Sequence, residues 1–281
     1  MASALTLYSG GAGGATGAIL ATAKPLWVTA KVIYLHHTGS DGNSGMNRED
    51  AVATLNQAMS VAGSLTTAAI IDVLLGHRET ITAGILIGGV PGLWIVGEGT
   101  GIQRPYFTNG GTVSLLGIES DDVVLDNLVF TESLVHVTEP KVYVGDVENT
   151  IIQNCVFRCG ACDVEEALRY GGSGGYEYIS AGRNMLLNTQ FVNTSVSPTA
   201  RAGSAIKVDG PIGPLTMDNV VLDGGAYGWG STYAFLGYNV VSLLRATNID
   251  LLNDSDMVLT SDTYGFVNIR NQTGSARIEW G

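Results

Sequence analysis

The acidic residues are the side chains of this sequence that could do chemistry, because two carboxyl groups can act together as acid and base. Cleavage of a glycosidic bond needs two carboxyl groups about 5–5.5 Å or about 6.5–9.5 Å apart. Asp121-Asp122 and Glu165-Glu166 are adjacent in sequence, so on a strand the members of each pair would point to opposite faces. We interpret them as solvated loop acids. We predict no catalytic residue and do not favour an enzymatic activity.

Two groups of oxygen-bearing side chains are candidates for binding a cation. Asp254, Asp256 and Asp262 are close enough in sequence to chelate Ca²⁺ or to serve a lyase. A polar loop is the alternative that we favour, because a calcium cage needs about six to eight oxygen ligands. Asp41-x-Asn43-x-Gly45 begins like a calcium-binding loop, but the later acidic ligand is missing. We therefore predict a turn there and no metal site.

The cysteines are clustered and odd in number. Cys155, Cys159 and Cys162, with His136 nearby, are too few for a zinc site, because no second cysteine pair or closely spaced histidine accompanies them. We interpret them as core thiols. An odd cluster is also a poor disulfide framework, so we expect synthesis in a reducing compartment.

The composition favours a β-rich chain with many tight turns. Of 281 residues, 38 are glycine and only 7 are proline, with 45% hydrophobic and 14% charged residues. The net charge of −12 would repel phosphate backbones, so we exclude nucleic acid as a partner. No stretch of about 18 uninterrupted apolar residues is present, so we expect no membrane contact, and no pattern indicates a cofactor.

The elements that must position these side chains begin with residues 1–33, a Gly- and Ala-rich N-terminal arm followed by a first strand. A segment this rich in glycine behaves as a flexible coil in isolation. We expect it to be ordered only by packing against a neighbouring chain. Its larger side chains are predicted to bind that partner: Leu5, Leu7, Tyr8, Ile19, Leu20.

Residues 34–281 form the second predicted unit, and a helix near residues 47–62 lies close to its start. Asn47 is a suitable N-cap and Gly63 a suitable end of this helix. One face of the helix is apolar and consists of Val52, Leu55, Ala58, Met59 and Ala62. We predict that the helix caps the open end of the β structure that follows.

A repeated pattern, apolar-x-Asn-x-x-apolar, runs through the rest of the chain. Its asparagines, 27 to 34 residues apart, are Asn127, Asn154, Asn188, Asn219 and Asn248. In a parallel solenoid each coil lies about 4.8 Å from the last, so equivalent side chains stack. Asparagine at a bend satisfies backbone groups that a tight corner leaves unpaired. The repeat therefore predicts a ladder of structural asparagines in a parallel β-helix.

Several motifs resemble the pectin-lyase-like right-handed β-helix superfamily over residues 34–271: Gly39-Ser40-Asp41-Gly42-Asn43-Ser44-Gly45, Ala53-Thr54-Leu55-Asn56-Gln57-Ala58, Asp72-Val73-Leu74-Leu75-Gly76, Trp94-Ile95-Val96-Gly97-Glu98-Gly99 and the asparagine coils. The resemblance implies an all-β chain that forms one right-handed solenoid. It does not imply an activity, since the superfamily includes lyases, glycosidases, phage tailspikes and non-catalytic virion proteins. The polygalacturonase pattern is broken at Asn193-Thr194-Ser195, Gly76-His77-Arg78 and Ala205-Ile206-Lys207.

Aromatic residues crowd a Gly-rich segment near residue 230. Tyr227, Trp229 and Tyr233 are predicted to contact a protein partner, and stacking on sugars is a further option. The alternative is a long loop folded over its own coil. Both interpretations stay open at this point.

The sequence thus predicts a non-catalytic bacteriophage virion protein, resembling phage virion β-helix proteins. We expect a homotrimer that decorates or cements a capsid and binds other virion proteins, such as a major capsid protein, through its arm. The first residues lack the features of a secretory signal, so we expect assembly in the host cytoplasm. The alternative is a polysaccharide-degrading tailspike or lyase that acts on a host surface glycan.

Overall fold

The computed structural model describes residues 30–65, 67–133, 139–160, 166–171, 183–195, 203–209, 213–230, 233–238, 243–253, 255–259 and 265–280. These residues form an all-β structure with two long parallel sheets and one α-helix, α1 (Leu55–Gly63). Two short 3-10 helices, Arg48–Asp50 and Gly101–Gln103, lie between strands.

The strands are short and follow one another closely along the chain. They are β1 (Lys31–Leu35), β2 (Ala69–Val73), β3 (Arg78–Ile81), β4 (Ile85–Gly88), β5 (Trp94–Gly97), β6 (Tyr106–Asn109), β7 (Leu116–Glu119), β8 (Val124–Asp126), β9 (Val129–Glu132), β10 (Val142–Val144), β11 (Ile151–Gln153), β12 (Val156–Cys159), β13 (Glu166–Tyr170), β14 (Asn184–Leu187), β15 (Gln190–Asn193), β16 (Ser204–Asp209), β17 (Leu215–Asp218), β18 (Val221–Asp223), β19 (Tyr233–Tyr238), β20 (Leu244–Leu252), β21 (Asp256–Leu259), β22 (Gly265–Gln272) and β23 (Ile278–Trp280).

Most strands pair with the third strand along the chain, and every pairing among the described strands is parallel. The first row is β1, β2, β5, β8, β11, β14, β17 and the start of β20. The second row is β3, β6, β9, β12, β15, β18 and the end of β20. The third row is β4, β7, β10, β13, β16, β19, β21 and β23, in a sheet of its own. The chain therefore visits three rows in each winding, an arrangement consistent with a parallel β-helix.

Stacked side chains fill the space between the rows. In the second row the rings of Phe107, Phe130, Phe157 and Phe191 lie 6.3, 4.9 and 4.7 Å apart, centroid to centroid. All four are buried. Leu222 continues this stack in register with Phe191. Because each coil places the same position above the last, one apolar residue per winding builds a continuous core.

The repeated asparagines lie at the bend between the first and second rows. All five have a left-handed backbone: Asn127 (φ 58°), Asn154 (54°), Asn188 (49°), Asn219 (54°) and Asn248 (54°). Asparagine tolerates this conformation better than most residues. The Asn219 amide donates to Asn188 Oδ1 at 2.9 Å. Asn154 and Asn248 instead donate to aspartates of the preceding coil, so the ladder mixes asparagine with aspartate.

The helix expected near residues 47–62 is two shorter elements. Asn47 caps a 3-10 helix by accepting from the Asp50 N–H, and α1 begins only at Leu55, with Thr54 as its N-cap. Between them Val52 forms a parallel bridge with Leu35 of β1. An extended residue cannot continue a helix, so the prediction was wrong about where the helix begins.

The α1 helix packs its apolar face on the first windings. Leu55, Ala58, Met59 and Ala62 are buried, and the helix contacts β1, β2 and β4. The Glu79 carboxylate accepts from the Leu55 N–H and lies 3.1 Å from Nε2 of the buried His77. A carboxylate at a helix N-terminus is favourable. Glu79 therefore fixes the start of α1.

No helix of the described residues is long and apolar enough to span a bilayer.

Candidate functional site

Polar and charged side chains stack on the third row. Its pairing places five residues in register on successive coils: Leu86, Gly117, Tyr143, Arg169 and Lys207. Their neighbours along each strand belong to the buried core, for example Val142 and Val144. Since side chains alternate across a strand, this third-row column faces outward. Among the described residues it places Tyr143, Arg169 and Lys207 on three successive coils.

Tyr143 is the phenol of the third-row column. Its hydroxyl donates to Glu119 Oε1 at 2.9 Å. Burial, followed by the hydrogen bond and negative charge of Glu119, raises the pKa of Tyr143 to about 12. The ring lies against Gly117, where a Cβ would collide with it. Tyr143 is therefore a proton donor at neutral pH, and not a base.

Arg169 and Lys207 share one buried carboxylate. Glu166 Oε2 accepts from Arg169 Nε at 3.1 Å and Nη2 at 2.6 Å, while Oε1 lies 3.3 Å from Lys207 Nζ. Glu166 and Arg169 are both buried. The carboxylate of Glu166 therefore connects two cationic side chains of neighbouring coils.

A second ion pair lies at the neighbouring corner, between the second and third rows. Glu132 and Lys141 form this pair, and the side chains of both are almost fully buried. Glu132 Oε1 also accepts from the Gly160 N–H. Breaking such a pair by removing one partner leaves an uncompensated buried charge. We assign this pair a structural role.

The two acids that contact the third-row column, Glu119 and Glu166, are too far apart for glycoside hydrolysis. Leu116 and Leu168 are two coils apart in one column, Glu119 follows Leu116 by three residues, and Glu166 precedes Leu168 by two. At about 3.3 Å per residue and about 4.8 Å per coil, the two positions are about 19 Å apart. That exceeds the upper limit of about 9.5 Å for a carboxylate pair.

The aromatic residues predicted to bind a partner lie in different surroundings. Trp229 is buried, and its indole N–H donates to Ser255 Oγ at 3.1 Å. Tyr227 is 39% exposed, and Tyr233 is half-buried in β19. The burial of Trp229 favours the alternative, a loop folded over its own coil, because a side chain inside the core offers no surface to a partner. Partner binding by Tyr227 and Tyr233 stays a prediction.

The remaining predicted partner-binding residues, Leu5, Leu7, Tyr8, Ile19 and Leu20, lie outside the described residues. Asp254, Asp262, His136 and Cys162 do as well.

The candidate cation ligands that the structure describes form ordinary structural contacts. Asp41 Oδ1 accepts from the N–H groups of Ala53 and Thr54, and Asn43 donates to the Ala51 carbonyl. Asp256 pairs with Arg277 at 3.2 Å. These contacts explain the turn without a metal. Within the described ranges no group of three histidine, cysteine or acidic residues is arranged to hold a metal ion.

The described cysteines, Cys155 and Cys159, are buried in the core. Burial raises the pKa of Cys155 to about 12, so the thiol form dominates at neutral pH. A thiol that is not ionised is a poor nucleophile and a poor ligand.

Sequence reasoning missed the third-row column. Its signal is a repeated apolar-polar-apolar triplet: Val142-Tyr143-Val144, Leu168-Arg169-Tyr170 and Ile206-Lys207-Val208. The triplets lack the invariant asparagine that marks the corners, and their polar residue differs in each coil. A search for pairs of inward apolar residues separated by one position would have found these triplets, and with them the outward polar residue in the middle of each.

Comparisons with known proteins show the fold of this chain. No family model and no curated protein sequence matches it. Among solved structures it is similar to a rhamnogalacturonan lyase, with a TM-score of 0.52 and 11% sequence identity over 88% of this chain and 74% of that chain. Together with the parallel sheets, this likeness supports the expected parallel β-helix fold. At this identity it carries no information about activity.

Proposed function

We propose that this chain is a non-catalytic structural protein of a bacteriophage particle, most specifically a capsid decoration or cement protein. In this proposal a single right-handed solenoid forms the body of a homotrimer, and residues 1–33 bind neighbouring shell proteins such as a major capsid protein. One observation supports the non-catalytic role. Acidic side chains on the outside of the coils accept hydrogen bonds from side chains of the next coil.

The corner between the first and second rows shows this use of acids most clearly. Asp126 accepts from Gln153 Nε2 at 2.8 Å and from Asn154 Nδ2 at 2.7 Å, both one coil away. Asp218 repeats the arrangement with Thr247 and Asn248. Carboxylates that accept two hydrogen bonds from the neighbouring coil hold the coils in register.

The second row uses its acids in the same way. Asp250 accepts from Arg270 Nε at 2.9 Å and Nη2 at 2.6 Å, and from Asn271 at 3.0 Å. Asp223 Oδ1 accepts from Asn253. Acids engaged in this way stabilise a rigid rod, which is what a protein that reinforces a shell requires.

The N-terminal arm supports the particle-binding part of the proposal. Its sequence combines many glycines with a few large side chains, among them Leu5, Leu7 and Tyr8. A segment of this composition can order itself on a partner surface. The reducing compartment expected from the cysteines agrees with assembly inside a host cell.

The test is to locate the protein and then to perturb its arm. Particles from the strain that encodes the chain are labelled with gold-conjugated antibodies against it, and copy number is measured by mass spectrometry. We expect many copies on the head. Full-length protein with Leu5→Ser, Leu7→Ser and Tyr8→Ser should lose binding to undecorated shells, while Ile102→Ser, at an exposed residue of the 3-10 helix Gly101–Gln103, should retain it. Absence from particles, or unchanged binding by the arm variant, would overturn the proposal.

The alternative, a polysaccharide-degrading tailspike or lyase, is favoured by the third-row column of Tyr143, Arg169 and Lys207. The test incubates the protein with acidic polysaccharides. The release of unsaturated sugars is monitored by ultraviolet absorbance, and shortening of the polymer is monitored by a fall in viscosity. The wild-type chain should leave the polymers intact. Activity that is lost in Lys207→Gln and retained in Lys31→Gln, at an exposed lysine of β1, would establish the enzyme instead.

A further inference from the structure

A lysine and a glutamate lie side by side in the interior, at the corner between the second and third rows. The side chain of Lys141 is fully buried, and that of Glu132 is only 2% exposed. Lys141 Nζ contacts Glu132 Oε2. The corner therefore holds an amine and a carboxyl group, which can condense to an amide, together in a site that bulk solvent does not reach.

The backbone of the second row fixes the position of Glu132. Glu132 ends β9 and is in register with Asn109 on the preceding coil. The next residue, Ser133, donates its N–H to the Asn109 carbonyl at 2.9 Å. On the following coil the Gly160 N–H donates to Glu132 Oε1. Contacts to both neighbouring coils therefore hold this carboxyl group, and its second oxygen faces Lys141.

The backbone of the third row fixes Lys141 in a similar way. Lys141 immediately precedes β10. Its N–H donates to the Glu166 carbonyl at 3.1 Å, and its own carbonyl accepts from the Leu116 N–H at 3.1 Å. These two partners belong to the strands on either side of β10. The fold itself therefore brings the amine and the carboxyl group together.

Burial favours an amide over an ion pair at this corner. Removing an ammonium and a carboxylate from water is costly, because both lose their hydration. An amide has no net charge and avoids most of that cost. Well-oriented groups that are held in contact also reach effective concentrations of about 10⁵–10⁸ M. The site thus promotes a condensation that is unfavourable between the same two groups in dilute aqueous solution.

We propose that Glu132 and Lys141 form an intramolecular isopeptide bond, an amide between Cδ of Glu132 and Nζ of Lys141. The Nζ–Cδ bond forms and the Cδ–Oε2 bond breaks. Two of the three ammonium protons leave with Oε2 as one water molecule, and the third stays on the amide nitrogen. No oxidant, reductant or further reactant takes part. This modification is independent of the proposed role in a particle.

The two oxygens of Glu132 have different roles in this reaction. Oε2 contacts Lys141 Nζ, so the protons pass directly to the oxygen that leaves. Oε1 becomes the carbonyl oxygen of the amide, and it gains negative charge while Nζ adds to the carbon. The Gly160 N–H donates to Oε1 and stabilises this charge, as the donors of an oxyanion hole do.

Glu166 and Lys207 provide a matched control pair in the same molecule. Lys207 Nζ lies 3.3 Å from Glu166 Oε1, so the same two functional groups are in contact. Glu166 Oε2, however, accepts from Arg169 Nε and Nη2, and these charged donors stabilise the carboxylate. The Lys207 side chain is also 21% exposed, so its amine keeps part of its hydration. We expect no bond between Glu166 and Lys207.

The test is the intact mass of the full chain, measured under denaturing conditions. We expect the mass to be lower, by one water molecule, than the mass calculated from the sequence with its observed N-terminus. Trypsin cleaves after unmodified lysine, so the peptide map should show cleavage after Lys207 but none after Lys141. Fragment ions should join Glu132 to Lys141. Lys141→Arg keeps a positive charge without a nucleophilic amine and should have its full calculated mass, whereas Lys207→Arg should still lack one water.

Three results would overturn the proposal. A wild-type chain with the full calculated mass would show that no condensation takes place. Tryptic cleavage after Lys141 in the unfolded wild-type chain would show that its amine is unmodified. A loss of water that persists in Lys141→Arg, or that maps to other residues, would place the bond elsewhere. The wild-type measurements decide the question even if Lys141→Arg does not fold.

Discussion

Replacing Asn154 tests whether the asparagine corners stabilise the coils for the two reasons that the structure gives. Asn154 has a φ of 54°, a conformation that most residues disfavour. Its side chain donates to Asp126 Oδ1 at 2.7 Å. Asn154→Ala removes the hydrogen bond and keeps the left-handed backbone. Asn154→Gly removes the hydrogen bond alone, because glycine adopts this backbone freely.

The magnitudes follow from these two contributions. A hydrogen bond to a charged group contributes about 1.5–3 kcal/mol, and a left-handed residue other than glycine costs about 1–2 kcal/mol. Asn154→Gly should therefore lower the free energy of unfolding by about 1.5–3 kcal/mol. Asn154→Ala should lower it by about 1–2 kcal/mol more.

Asn149 is the matched control for this prediction. It has a φ of 58° and donates to Asp122 at 3.0 Å, and both side chains are exposed. The alanine and glycine variants of Asn149 should differ by the same backbone contribution, with a smaller loss from the exposed hydrogen bond. Urea unfolding followed by circular dichroism measures all four variants. Equal stability of Asn154→Ala and Asn154→Gly would refute the backbone argument, and a neutral Asn154→Gly would refute the hydrogen-bond argument.

Three further predictions concern the core, an ion pair and a thiol. Phe157→Ala should lower the free energy of unfolding by about 3–5 kcal/mol, measured by the same urea assay, because its ring stacks on two others; a loss below about 1 kcal/mol would contradict the ring stack. The Arg270 hydrogen bonds and charge lower the pKa of Asp250, so its contribution is present above the unfolded pKa and lost as pH falls through the folded pKa. Asp250→Asn should therefore flatten the acid side of a thermal stability profile, and an unchanged profile would contradict this. Cys155 should resist alkylation at pH 8 in the native protein and react in denaturant, as read by mass spectrometry; rapid native labelling would show that the thiol is accessible.

The inward positions of the coils could be predicted from the sequence because each position repeats under one physical constraint. Phe130, Phe157 and Phe191 follow the repeated asparagine by three residues, and a stacked core accepts only apolar side chains there. The left-handed corner imposes an equally narrow choice on Asn127 and its equivalents. Such constraints act locally and recur, so they are visible in one sequence.

The outward positions could not be predicted in the same way. Tyr143, Arg169 and Lys207 are of three different types although they share one column, since solvent imposes no common requirement on them. The helix start was misplaced for a related reason. The bridge from Val52 to Leu35 is a tertiary contact, and helical periodicity carries no information about it.

The two contacts of the Asn154 corner use different atoms of that residue. Its side chain donates to Asp126, and its carbonyl accepts from Arg104. Asn154→Gly removes the side-chain contact but keeps the carbonyl, so Arg104 should keep its partner in this variant. The loss of stability in Asn154→Gly should therefore come from the contact with Asp126, because the backbone contact does not depend on the side chain.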